Sequence, residues 1–138
     1  MTRVILGLGC DRGTSLDTLA AAVTHALAAA NIELEAVVGA ATIDRKHDEV
    51  AILALASQHG WPLRFFSAEA LAQVAVPSPS ETVRKYMGTP AVAEAAALLA
   101  AGTHMGDLLL EKYKYRGSDG KNATVSIAQC CHYRRSNE

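Results

Sequence analysis

The sequence predicts an α/β fold with three layers, α/β/α, around a mixed, mainly parallel sheet of about five strands that includes a C-terminal antiparallel pair. Three observations support this prediction. Short apolar segments alternate with helical segments through the first half of the chain, in the order that gives parallel strands with crossover helices. Two strand-like segments near the C terminus are joined by a short turn, which favours antiparallel pairing. The 138 residues, 50% of them hydrophobic, suffice for one domain spanning residues 1–138.

The first unit is a strand, a glycine turn and a helix. Val4, Ile5 and Leu6 begin the strand, and residues 7–15 form the turn. A spacing of three and four residues between apolar positions predicts the following amphipathic helix, at Leu16, Leu19, Val23 and Leu27. Ser15 is placed to cap this helix and Asn31 to end it.

Two further strands and helices follow. Residues 36–43 predict a buried strand, and residues 44–49 form a polar cluster. The next helix is expected to end at Gly60 and to carry four residues on one face, Val50, Leu53, Ala54 and Ser57. Residues 63–66 predict the third strand, after which Ser67 caps a short helix.

The last third of the chain completes the predicted sheet. Ser80 starts a helix that ends near Gly88, and Pro90 starts another, since proline is tolerated at the first helical position. Residues 108–115 and 123–128 predict two strands around a turn at residues 117–120.

Composition disfavours several classes of protein. With 13 basic and 14 acidic residues, the formal charge is −1, so we expect no nucleic-acid partner and no membrane surface as partner. The most apolar segment, residues 91–101, is shorter than the roughly 20 residues of a membrane helix and contains Glu94. Cys10, Cys130 and Cys131 do not form a disulfide framework, which favours the reducing cytoplasm. The adjacent cysteines lack zinc-ligand spacing, so no metal site is predicted.

Three polar clusters are expected to share one edge of the sheet. They are residues 9–15, residues 42–49 and Ser67, and each follows the carboxyl end of a predicted strand. Ligands of open parallel sheets bind at that edge. The predicted ligand-binding residues are therefore Gly9, Cys10, Arg12, Gly13, Thr14, Ser15, Thr42, Lys46 and Ser67.

The glycine turn favours an anionic ligand. Backbone N–H groups at a helix start attract negative charge, and glycine lets a ligand approach closely. Arg12 and Lys46 add charges suited to a carboxylate or a phosphate. The alternative is that Gly7 and Gly9 only ease the packing of strand against helix, while Arg12 is a solvated surface residue.

Catalytic candidates are Cys10, Asp44 and Lys46. Cys10 lies ahead of a helix start and near Arg12, a setting that activates a thiol, although buried structural cysteines are commoner. The segment around Asp44 and Lys46 could serve in acid–base chemistry. Alternatively, Asp44 or Asp48 caps the next helix, and Lys46 pairs with Glu49 on the surface.

Motifs in residues 7–15, 41–46, 62–69 and 76–81 resemble the CobE family of cobalamin biosynthesis, which is similar to the C-terminal domain of CbiG. The likeness continues through residues 88–95 and 123–129. It implies a three-layer α/β/α domain that takes part in corrin-ring construction. A corrin precursor is a partly apolar macrocycle edged with carboxylates, which suits an amide-rich turn with Arg12 and Lys46.

The resemblance favours a module that binds, protects or hands on a carboxylate-rich corrin intermediate, without a cofactor and with other cobalamin pathway enzymes as further candidate partners. The alternative is an enzyme acting on a precorrin. CbiG-like proteins are associated with opening a ring lactone and losing a two-carbon fragment, but this sequence does not include their additional N-terminal part. Nucleotide binding is least favoured, because Asp44 lies about 31 residues after Gly13 instead of about 20.

Overall fold

A computed structural model describes residues 3–44, 49–72, 90–102 and 108–130. Within these residues the chain forms one five-stranded sheet and four α-helices. The strands are β1 (Val4–Cys10), β2 (Val37–Ile43), β3 (Leu63–Phe66), β4 (Leu108–Arg116) and β5 (Asn122–Gln129). The helices are α1 (Leu16–Ala30), α2 (Val50–His59), α3 (Ala68–Ala72) and α4 (Pro90–Ala101).

The sheet has the strand order β3-β2-β1-β5-β4. β1 pairs in parallel with β2, and β2 with β3, whereas β5 is antiparallel to both β1 and β4. Four of these five strands therefore run in one direction. This arrangement confirms the predicted mixed, mainly parallel sheet with a C-terminal antiparallel pair.

Helices cover both faces of the sheet. Alternate residues of a strand point to opposite faces. Leu6 and Leu8 of β1 belong to the core that α1 and α2 cover, whereas Ile5 packs with residues of α4 on the other face. Ala41 of β2 lies in a third cluster with residues of α3 and α4. The three-layer prediction is confirmed.

Gly7 allows α4 to lie very close to β1. A Cβ atom built on Gly7 would lie 1.9 Å from the carbonyl oxygen of Ala93 and 2.9 Å from the Cβ of Ala97. Further along α4, Ala101 packs with Ile5, which precedes Gly7 in β1. α4 therefore runs opposite to β1, and its N terminus points toward the carboxyl end of that strand.

The predicted helix boundaries agree with the structure where they are described. The Ser15 hydroxyl caps α1 by accepting a hydrogen bond from the Thr18 N–H at 3.1 Å. The helix ends at Asn31, whose backbone lies in the left-handed region (φ 59°). Gly60 ends α2 with φ 70°. The Ala70 N–H donates to the Ser67 hydroxyl at 3.1 Å, so Ser67 caps α3.

The face of α2 that carries Val50, Leu53, Ala54 and Ser57 is directed away from the core. Val50 is 75% exposed and Leu53 40% exposed, whereas the buried residues of the helix are Ala51, Ile52, Leu55 and Ala56. Apolar residues occupy both sides of this short helix, so periodicity alone does not distinguish them. β2 begins at Val37 because residues 34–36 form a 3₁₀ turn.

Some predictions fall outside the described residues. These are the helix from Ser80 to Gly88, the site residue Lys46, and Asp48 and Cys131. No helix within the described ranges combines the length and apolarity that crossing a membrane requires.

Candidate functional site

The three predicted polar clusters meet at one edge of the sheet. Cys10 ends β1, and Ile43 at the end of β2 pairs with Phe66 at the end of β3. Cys10 also pairs with Ala123 near the start of β5, which brings the turn between β4 and β5 to the same edge. The edge thus carries the loops after three parallel strands and one hairpin turn.

Glu49 joins the first two of these loops. The Arg12 guanidinium donates from Nη1 to Glu49 Oε1 at 3.0 Å, and the Gly13 N–H donates to Oε2 at 3.0 Å. Glu49 is only 5% exposed, whereas the Arg12 side chain is 63% exposed. Glu49 is therefore not the surface residue that the sequence suggested, because its carboxylate is buried against the glycine turn; its suggested partner Lys46 lies outside the described residues.

Asp119, in the β4–β5 turn, binds the start of α1. Its carboxylate accepts hydrogen bonds from the Ser15 N–H, the Thr18 hydroxyl and the Lys121 N–H, each at 3.0 Å. The bonds from the backbone N–H groups of Ser15 and Lys121 are the main reason why the pKa of Asp119 is lowered to about 2. The N terminus of α1 therefore binds a carboxylate of the chain itself.

Asp11 fixes the same loop to β5. Its Oδ2 accepts from the Asn122 backbone N–H at 2.9 Å and from the Asn122 side-chain amide at 3.1 Å. The Thr14 hydroxyl donates to the Asp11 carbonyl at 2.6 Å. The glycine turn is thus held by hydrogen bonds from several directions.

The other predicted site residues have different environments. Thr42 is fully buried, and its hydroxyl donates to the Leu8 carbonyl at 2.7 Å, which joins β2 to β1. Cys10 is half-buried and packs against the core beneath α1. Asp44 is exposed directly after β2. Thr42 and Cys10 therefore face the α1 side of the sheet, and Ser67 lies at its edge.

An open position lies on the opposite face, at Gly9. Gly9 follows Gly7 by two residues and so points to the α4 side of β1. A Cβ built on Gly9 would have no described atom within 4 Å, in contrast to the crowding at Gly7. Since α4 begins at this end of β1, its N terminus points toward the open position. We call Gly9 together with the first turns of α4 the Gly9 site.

Glu94 lies within the first turns of α4. Its side chain is 0% exposed, and neither carboxylate oxygen has a hydrogen-bond partner within the described part of the chain. Burial raises the pKa of Glu94 to about 7, because removal from water disfavours the charged form; Lys112 opposes the increase and Glu111 adds to it. Near neutral pH this carboxyl is therefore protonated in a large fraction of molecules.

The edge thus combines two kinds of chemistry. The helix start and the exposed backbone at Gly9 suit an anionic or carbonyl oxygen of a ligand. A neutral carboxyl can donate a hydrogen bond or a proton. No group of three or more His, Cys, Asp or Glu side chains suited to a metal ion occurs among the residues that the structure describes.

Sequence reasoning missed Asp119 and Glu94 as residues of this edge. Asp119 could have been found by pairing the last predicted strand with the first, which places its turn next to Ser15. Glu94 is the single charge in the apolar segment 90–101, and such a residue on a helix packed against a sheet is a candidate buried acid.

Comparisons with known proteins identify the family. The family described as "Cobalamin synthesis G C-terminus" matches residues 4–128. "Cobalt-precorrin-5A hydrolase" of Priestia megaterium is 33% identical over 123 residues, which are 89% of this chain and 31% of that protein. "Protein CobE" of a Sinorhizobium species is 39% identical over 101 residues, which are 72% of this chain and 66% of that protein.

A solved structure supports the same assignment. The crystal structure of CobE, a protein from the cobalamin (vitamin B12) biosynthetic pathway, superposes with a TM-score of 0.76 at 32% identity, covering 93% of this chain and 90% of that chain. This chain spans about a third of the hydrolase and about two thirds of Protein CobE. The chain belongs to the Cobalamin synthesis G C-terminus family, a family of cobalamin biosynthesis proteins.

Proposed function

We propose that this domain binds a carboxylate-bearing corrin intermediate at the Gly9 site and protects it or hands it on. The observation that supports this most directly is the open position at Gly9 beside the start of α4, at the edge where the loops after β1, β2 and β3 meet. The related proteins are named for cobalt-precorrin-5A or for cobalamin biosynthesis.

The ligand position differs from the one that the glycine turn alone suggests. The Gly13 and Ser15 N–H groups already donate to Glu49 and Asp119. A corrin carboxylate would have to displace one of these side chains to reach them. At Gly9 no described atom has to move, so a ligand edge can approach the backbone there.

Binding is tested by titrating the protein with cobyrinic acid, a stable corrin with free carboxylate arms, and following its visible spectrum. The Gly9→Val variant should weaken binding at least about tenfold, which corresponds to about 1.4 kcal/mol. Valine suits a strand and has room at this position, so the fold should persist. Leu109→Val, an exposed change near the start of β4 and far from this edge, is the matched control.

Two results would contradict the proposal. The first is the absence of any spectral change with both cobyrinic acid and cobalt-precorrin-5A. The second is an equal affinity of the wild type, Gly9→Val and Leu109→Val proteins, which would place a ligand elsewhere.

A second candidate function is hydrolysis of cobalt-precorrin-5A or a related precorrin. It is favoured by the buried acid Glu94 and by the printed name of the Priestia megaterium relative, of which this chain covers only 31%. Mass spectrometry of cobalt-precorrin-5A after incubation with the protein separates the two functions. A changed mass supports hydrolysis, whereas an unchanged mass with a changed spectrum supports binding.

A further inference from the structure

Glu94 is directed toward the end of α4 at which Gly9 lies. Ala93 and Ala97 of α4 lie against Gly7. Glu94 follows Ala93 directly in the sequence, so its Cα lies near the level of Gly7. Side chains of an α-helix tilt toward its N terminus. Because α4 runs opposite to β1, this tilt carries the Glu94 carboxyl from the level of Gly7 toward the level of Gly9.

Within the described part of the chain, the buried Glu94 carboxyl has no hydrogen-bond partner. Burial of a polar group without hydrogen bonds costs free energy, and most buried polar groups in proteins are paired. Both Glu94 oxygens lack a partner among the described residues. The nearby Ser126 hydroxyl, on the α4 face of β5, donates instead to the Glu111 carbonyl. A ligand oxygen would complete the hydrogen bonding that the protein leaves incomplete.

We propose that Glu94 is a ligand-binding acid, which in its protonated form donates a hydrogen bond to a carboxylate or carbonyl oxygen of a corrin bound at the Gly9 site. This inference rests on the proposed function and assigns one contact within it. A hydrogen bond from a neutral carboxyl to a carboxylate is charge-assisted and short, and thus among the stronger kinds.

The proposal makes binding depend on pH. Two charged groups of β4 act electrostatically on Glu94: Lys112, which favours the carboxylate, and Glu111, which disfavours it. The residues of β1 and β5 that face α4 near Glu94, Gly7 and Ser126, are not ionisable. Burial outweighs the attraction of Lys112 and keeps the pKa of Glu94 at about 7. Above that pH, Glu94 loses its proton and its negative charge repels a ligand carboxylate.

The test measures the dissociation constant of cobyrinic acid between pH 6 and pH 9 for the wild type, Glu94→Gln and Glu35→Gln. Above pH 7, the dissociation constant of the wild type should rise by up to about tenfold for each pH unit, relative to that of Glu94→Gln. The Gln amide of the variant donates a hydrogen bond at every pH. Glu35→Gln, the same change at an exposed carboxylate just before β2 and at the opposite end of the sheet, should retain the wild-type profile.

The outcomes distinguish the role of Glu94 from the proposed corrin binding on which it rests. Binding with the same pH profile in the wild type and Glu94→Gln would overturn the role of Glu94 and leave corrin binding intact. Absence of binding by the wild type would overturn both.

A second measurement does not depend on the folding of a variant. In wild-type protein with ¹³C-labelled glutamate carboxyls, the resonance that titrates near pH 7 should shift to its protonated position when cobyrinic acid is added at pH 8. An unchanged ionisation state on saturation would also overturn the inference.

Discussion

The pH dependence of folding stability gives a direct measure of the Glu94 environment without any ligand. The informative perturbation is Glu94→Gln, which keeps the size of the side chain and removes its ionisation. Glu94 is completely buried, so its charge cannot be screened by water in the folded state. In the unfolded chain the same carboxyl is solvated and titrates at its ordinary pKa.

The expected magnitude follows from the shift in pKa. The folded protein raises the pKa of Glu94 from 4.5 to about 7, and each pKa unit corresponds to about 1.4 kcal/mol. The raised value means that the folded state holds the proton more tightly. The contribution of Glu94 to stability is therefore complete below pH 4.5, falls as the pH rises, and is lost above about pH 7. The total loss is about 3 kcal/mol.

Urea denaturation followed by circular dichroism at several pH values between 4.5 and 8 measures this effect. The free energy of unfolding of Glu94→Gln, relative to wild type, should increase by about 3 kcal/mol from pH 4.5 to pH 8. All other ionisable residues are common to both proteins, so their contributions cancel in the difference. Glu35→Gln, at an exposed carboxylate at the opposite end of the sheet, should show no such trend. A constant difference between the wild type and Glu94→Gln across this range would refute the assignment of Glu94 as a buried neutral acid.

Three further predictions concern stability. Gly7→Ala should destabilise the fold by about 3 kcal/mol or more, because its Cβ would overlap the backbone of α4, whereas Gly9→Ala should remain within about 1 kcal/mol of wild type; equal thermal shifts for the two would contradict this. The wild type should lose the stability contributed by Asp119 as the pH falls from 3.8 through about 2. Asp119→Asn should not show this loss in acid unfolding curves. Thr42→Val should cost about 1–3 kcal/mol in urea denaturation, because the buried Leu8 carbonyl loses its donor; an unchanged midpoint would exclude that role.

Local chemistry made much of the fold predictable. Ser15, Asn31, Gly60 and Ser67 mark helix ends through hydrogen bonds or backbone conformations that only a few residue types provide. The order of strands and helices then restricts the topology, because crossover connections are right-handed and short turns join antiparallel neighbours. The order of the strands across the sheet cannot be predicted from such local signals. The placement of β5 between β1 and β4 depends on long-range pairing that no local pattern specifies.

The buried face of α2 illustrates a second limit of sequence reasoning. Where nearly every position of a helix is apolar, the choice of face depends on which side chains fit the sheet. Ile52 and Leu55 fill the core beside α1, and Val50 remains in solvent. Periodicity carries information only when polar residues define the other face.

The candidate site was predictable as an edge but not as a set of contacts. The loops after β1 and β2 do meet, through the bonds of Glu49 to Arg12 and Gly13. The polar cluster after β2 drew attention to Lys46, whereas the contact that the structure describes comes from Glu49. Whether a side chain near a loop points outward or into that loop depends on the path of the backbone, which composition does not give.

The two internal carboxylates change how the glycine turn should be interpreted. Amides at a glycine turn and at a helix start attract carboxylates, and those of Gly13 and Ser15 do so here, but with Glu49 and Asp119 as the bound groups. These contacts use N–H groups that a ligand would otherwise bind. The N terminus of α4 differs, because it is directed at a glycine with no described atom near it, and because its buried acid Glu94 has no hydrogen-bond partner among the described residues. Among the described residues, the start of α1 is thus filled by a carboxylate of the chain itself, whereas at the start of α4 neither Gly9 nor the Glu94 carboxyl has a described partner.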